Sequence, residues 1–77
     1  MPSIEIGRKL EQAMEEAGIK PTELSKKIGI TKQRLSTYTN GLVAPPAPMV
    51  RELCEALGIS ADWLLDIRKE EDGELYQ

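Results

Sequence analysis

Residues Pro21 to Gly41 read PTELSKKIGITKQRLSTYTNG, and this stretch decides the architecture. Pro21 suits a first helical position, because the N–H it lacks would be unpaired there anyway. Leu24 and Ile28 then follow at i, i+4 spacing, the stripe of a short amphipathic helix. Gly29 can take positive φ at the end of that helix without steric cost. Only Ile30 separates it from Thr31, a good N-cap for a second helix running to about Asn40. Ser25 is small where the two helices would cross closely, and Ile30 plugs the turn into the core. Leu35 and Tyr38, at i, i+3, form the inward face of the second helix. At about 100° per residue, Gln33, Thr37 and Asn40 point the other way, flanked by Lys32, Arg34 and Ser36.

Two short helices joined by a glycine-containing turn of about three to four residues are the sequence form of a helix-turn-helix. The flanking sequence extends the helical pattern. Ser3 can cap a first helix to Ala17, with Ile6, Leu10, Ala13, Met14 and Ala17 on one stripe and Gly18 as its stop. Gly41 and the proline-rich Leu42–Pro48 connection lead to a fourth helix over about Ala47–Leu57. Its stripe is Val50, Leu53, Cys54 and Leu57, and Gly58 stops it. Ser60 caps a short fifth helix carrying Trp63, Leu64 and Ile67. No segment alternates with period two, so the expected fold class is all-α, a five-helix bundle whose helices 2 and 3 form the helix-turn-helix. The domain is expected over residues 1–67, followed by a charged, fraying tail over 68–77. No internal repeat or low-complexity segment is evident.

Composition excludes much else. The chain has 77 residues, one Cys and no His. A domain of this size buries only about 60% of its unfolded surface, which disfavours a large catalytic cleft. One Cys permits neither an internal disulfide framework nor a multi-Cys zinc site. Without His, the commonest general base and metal ligand is missing. No nucleophile–base pair or metal cluster appears, so no enzyme, cofactor or metal is expected. Cys54, on an apolar stripe, reads as a small buried hydrophobe. The N-terminus has no secretory pattern and no segment is long enough to span a bilayer, so a cytoplasmic protein is expected.

The formal charge of −3 argues at first against a nucleic-acid partner. Its distribution argues the opposite. Residues 1–16 sum to −2 and residues 42–77 to −5, whereas residues 17–41 carry Lys20, Lys26, Lys27, Lys32 and Arg34 against Glu23, a sum of +4. The outward set on the third helix contains no acid. It offers an amide able to read adenine bidentately, a Thr methyl able to touch a thymine methyl, and bases able to reach guanine or phosphate. A basic unit of this kind is where phosphate contacts form.

With ELSKKIGIT, YTNG, Pro45 and LCEALGISADWLLD in place, the chain resembles the phage-repressor/Cro-type (Xre-like, lambda-repressor-like) helix-turn-helix proteins over roughly Ile6 to Leu65. The resemblance implies a third helix in the major groove and dimers on palindromic double-stranded operators. It makes Lys32, Gln33 and Thr37 base-edge readers. Thr31, Arg34, Ser36 and Asn40 become backbone or flanking contacts. Three positions depart from the family pattern. Pro21 replaces a common phosphate-contacting Gln, Lys20 replaces a Ser or Thr cap, and the connection after Gly41 lacks bases. Binding then leans on Lys20, Thr22, Lys26, Lys27, Lys32 and Arg34. Leu42, Val43 and Trp63 are candidates for a dimer interface, although Trp63 reads first as core. Tyr38 reads as core rather than a stacking platform. The expected function is a transcriptional regulator, most simply a repressor, with no small-molecule ligand. The competing reading is a protein-interaction module on the same fold, antitoxin-like or anti-repressor-like, with weak or no DNA binding.

Overall fold

Ile6, Leu10, Ala13 and Met14 are buried along one side of α1 (Ser3–Ala17), as their helical spacing requires. The computed structural model describes residues 3–65, which form α1, α2 (Pro21–Ile28), α3 (Lys32–Thr39), α4 (Ala47–Leu57) and α5 (Ala61–Leu65), with no strand among them. α1 packs on α3, α4 and α5; α2 packs on α3 and α4; α4 packs on α5. Between them lies one core, closed by Leu24, Leu35, Tyr38, Val50, Leu53, Cys54, Leu57 and Leu64. The five helices fall where the apolar periodicity puts them. The tail from residue 68, the Ile67 position and the capping role of the Ser3 side chain lie outside the described residues.

Three helix ends share one construction. α1, α2 and α4 each finish in a glycine followed by an isoleucine: Gly18-Ile19, Gly29-Ile30 and Gly58-Ile59. The isoleucine amide donates back to a carbonyl five residues earlier, Ile19 to Met14, Ile30 to Ser25 and Ile59 to Cys54, each at 3.0 Å. Each isoleucine also packs against the core. This is the double-bonded helix stop with its apolar contact. At Gly29 the backbone has φ 77°, a left-handed value that a Cβ would strain. The next residue caps the following helix. Thr31 Oγ1 accepts from the Arg34 amide at 3.0 Å, and Ser60 Oγ accepts from the Asp62 amide at 3.1 Å. Lys20 has no lone pair to offer, and instead its own amide donates to Glu23 Oε1 at 2.9 Å. That supplies half of a capping box and compensates the unusual residue there.

Two expectations need correction. Ala17 has the right angle for the α1 stripe but is exposed; the core ends before it, and Ile19 packs there after the chain has turned. Trp63 is not core. It is 38% exposed, and Lys9 Nζ sits 5.4 Å from its ring centroid while donating to the Trp63 carbonyl at 2.8 Å. Leu64 takes the buried place on α5.

The closest approach in the fold is between α1 and the end of α3. A Cβ built on Gly7 would overlap the Thr39 carbonyl and come within 2.8 Å of the Tyr38 oxygen. One on Gly41 would lie 2.7 Å from the Ile4 Cα. The predicted consequence separates two kinds of glycine. Gly7→Ala overpacks backbone against backbone and should destabilise by about 1–3 kcal/mol despite alanine's better helix propensity. Gly29→Ala meets open space and should lose only the left-handed preference, about 1–2 kcal/mol. Urea denaturation should show both losses, and only Gly7→Ala should alter the chemical shifts of Tyr38 and Thr39.

Candidate nucleic-acid interface

α3 is held from below by Leu35 and Tyr38, which are 1% and 2% exposed. At its start the Thr31 cap satisfies the Arg34 amide. At its end Asn40 closes the helix, its amide donating to the Ser36 carbonyl at 2.9 Å. The chain then turns sharply through Gly41, and the Leu42 and Val43 amides both donate to the Thr37 carbonyl, at 3.0 and 3.3 Å. The polar side of α3 faces outward, and an α-helix with its side chains, about 10–12 Å across, fits the width of a B-DNA major groove.

Each candidate residue has a definite place. Thr31, Lys32, Gln33, Arg34, Ser36 and Asn40 are exposed on α3 or its caps, and Thr37 is half-buried beside them. Arg34 Nε donates to the buried Tyr38 hydroxyl at 3.1 Å, so its guanidinium is anchored along the helix. Thr37 Oγ1 donates to the Arg34 carbonyl at 2.6 Å, and Asn40 Nδ2 donates to Ser36 Oγ at 3.0 Å. A shallow groove between α1 and α3 is lined by Lys32, Gln33, Ser36 and Asn40 together with Glu11 and Pro21.

On the α2 side, Lys20, Thr22, Lys26 and Lys27 are all exposed. Lys26 lies opposite the buried Leu24–Ser25 face, whereas Lys27 borders a depression with Glu52 and Glu55 of α4. The two lysines therefore stand in different fields. Ser25 is buried as its size suggests, and its hydroxyl donates to the Thr22 carbonyl at 3.0 Å. Leu42 is 73% and Val43 50% exposed.

Three features escape the sequence pattern. Glu11 sets a carboxylate at the edge of the α3 face, Glu52 and Glu55 flank Lys27, and Val43 lines a notch with Gln33 and Thr37. Each depends on how separate helices cross. Elsewhere, Cys54 is buried, and that burial pushes its thiol pKa up, making it a poor nucleophile. Among the described residues no group of His, Cys, Asp and Glu could hold a metal ion, and no helix is long and apolar enough to cross a membrane.

An exposed second helix set across a capped turn, in a five-helix bundle, defines a helix-turn-helix protein. The chain belongs to the Xre/lambda-repressor-like helix-turn-helix family, whose family model matches residues 10–64. The family and fold are those of DNA-binding regulators, not of enzymes. The fold is similar to that of ClgR, the clp gene regulator from Corynebacterium glutamicum, with a TM-score of 0.79 and 22% identity over 84% of this chain and 69% of that one. It is also similar to SinR, a master regulator for biofilm formation solved in complex with DNA. There the TM-score is 0.73, with 30% identity over 78% of this chain and 97% of the matched chain. SinR in a complex with SinI matches with a TM-score of 0.72 and 30% identity, over 86% of this chain and 65% of that one.

The cap that begins α3 makes a direct prediction. Thr31→Ala should lower unfolding stability by about 1 kcal/mol, whereas Thr31→Ser, which keeps the accepting oxygen, should lose much less. Thermal and urea denaturation of the two variants should show that order.

Proposed function

We propose that this chain is a sequence-specific, double-stranded DNA-binding transcription regulator, a cytoplasmic repressor of the phage/Xre type, that lays α3 in the major groove. The observation that carries the reading is the α3 face itself. Lys32 and Gln33 stand exposed at its N-terminal end with no acid on the helix, inside a segment of charge +4. Lys32, Gln33 and Thr37 read base edges. Lys20, Thr22, Lys26, Lys27, Thr31, Arg34, Ser36 and Asn40 contact the backbone or flanking positions. Two copies on a palindromic operator would place their reading helices about 34 Å apart, one helical turn. Exposed Leu42, Val43 and Trp63 are the apolar groups available for contact between subunits.

The competing reading, a protein-interaction module, draws on Pro21, which has no N–H to offer a phosphate, and on the base-free Leu42–Pro46 connection. SinR, the DNA-bound relative, also forms a complex with a protein, SinI. Selection of bound sites from random duplexes, followed by a salt series, separates the two. A regulator yields a symmetric site whose affinity falls steeply with salt. Failure to bind any duplex at low salt would leave the interaction module.

On the selected site, Gln33→Ala should relax discrimination at one base pair by a factor corresponding to about 1–3 kcal/mol. Lys26→Ala should weaken all duplexes alike and reduce the salt slope by about one. Lys27→Ala should do so less, because Lys27 borders a depression shared with Glu52 and Glu55. Equal losses on every sequence from Gln33→Ala would remove it from the base-reading set.

A further inference from the structure

We propose that Val43, together with Thr37, forms a specificity-determining contact for the C5-methyl group of a thymine, next to the base pair read by Gln33. The inference rests on the DNA-reading role of α3 and deepens it. Val43 lies outside the helix, yet it is tied to it. Its amide donates to the Thr37 carbonyl at 3.3 Å, just after Leu42 does so at 3.0 Å. The side chain, half exposed, lines a notch with Thr31, Gln33, Arg34, Thr37 and Tyr38. Leu42 does not line that notch, so the two neighbouring apolar residues have different surroundings.

The chemistry of the notch selects its occupant. Thr37 has one hydroxyl hydrogen, and it is committed to the Arg34 carbonyl at 2.6 Å. Thr37 therefore cannot donate to guanine O6 or N7, to adenine N7 or to thymine O4 while that bond stands. It offers a methyl group, and Val43 offers two more. In the major groove the apolar feature of a base edge is the thymine methyl. No carboxylate lines the notch, and the Arg34 charge on its wall favours approach of the phosphate-bearing duplex.

The test uses the full chain and a duplex obtained by site selection, with each thymine replaced in turn by deoxyuridine. That change deletes the methyl group and keeps base pairing and phosphates. Fluorescence anisotropy should show a loss of about fourfold at one thymine per half-site, the value of one buried methyl group. In Val43→Ala, and in Thr37→Ser, which keeps the hydroxyl, the difference between thymine and deoxyuridine at that position should shrink. Matching thermal melts exclude unfolding as the cause. A selected site at which every deoxyuridine substitution is neutral would overturn the inference while leaving DNA reading intact. Equal weakening of both duplexes by Val43→Ala, with a shift toward monomer in sedimentation, would overturn it in favour of a subunit contact. Absence of any bound duplex would overturn the DNA-reading role and this inference with it.

Discussion

The backbone of α3 rests directly on α1 at Gly7, and the position of the exposed α3 face depends on that contact. Where side chains meet, a rotamer change can absorb a misfit. Where a helical Cα faces the Thr39 and Tyr38 carbonyls, none can. Gly41 repeats the arrangement one turn later against Ile4. α3 needs such support. Lys32–Thr39 is eight residues long and contains two Thr, a Ser and a Tyr, so neither its length nor its propensity would hold it alone. Its order comes from Leu35 and Tyr38 below, the Thr31 cap at one end and the α1 backbone at the other.

The same economy governs the connections. A chain of this size has little apolar area to spend, and the Gly-Ile stops each return a side chain to the core while reversing direction. The helix that follows starts at once, on Lys20, Thr31 or Ser60. The turn between α2 and α3 is therefore one instance of a linker used three times, not a device peculiar to the helix-turn-helix. What sets it apart is the chemistry around it. Acids on the flanking elements surround a basic middle, and Glu23, the acid within that middle, has its carboxylate on the Lys20 amide at the start of α2. A carboxylate there also interacts favourably with the helix N-terminus.

Most of the architecture is legible along the chain because it is local. Helical spacing at Ile6–Met14, Leu24–Ile28 and Val50–Leu57, the glycine stops and the Thr31 and Ser60 caps each act within a few residues. Gly7 also left a signal, since a glycine between Ile6 and Leu10 on a buried stripe is costly without a close neighbour. Trp63 shows the limit of periodicity. On a five-residue helix, several rotations place some apolar residue inward, and only packing against α1 and α4 decides for Leu64. For the candidate site, the outward set on α3 follows from its own repeat. The placement of Glu11, of Glu52 and Glu55 beside Lys27, and of Val43 beside Thr37 does not, because each is set by helices that meet only in three dimensions.

The hydrogen bonds on α3 carry the functional argument one step further. Arg34 is tied to the Tyr38 hydroxyl, Thr37 to the Arg34 carbonyl, Thr39 to the Ser36 carbonyl and Asn40 to the Ser36 hydroxyl. Among the described residues, the side chains of Lys32 and Gln33 make no such bond. Groups already held in place lose little freedom when a surface docks on them, and groups left free lose more but can choose their partner. On the proposed reading this divides the labour along one helix. The C-terminal part presents a more fixed shape, with the Thr37 and Thr39 hydroxyl hydrogens already committed to the helix backbone. The N-terminal Lys32 and Gln33 are then left to make the adjustable hydrogen bonds that distinguish one base pair from another.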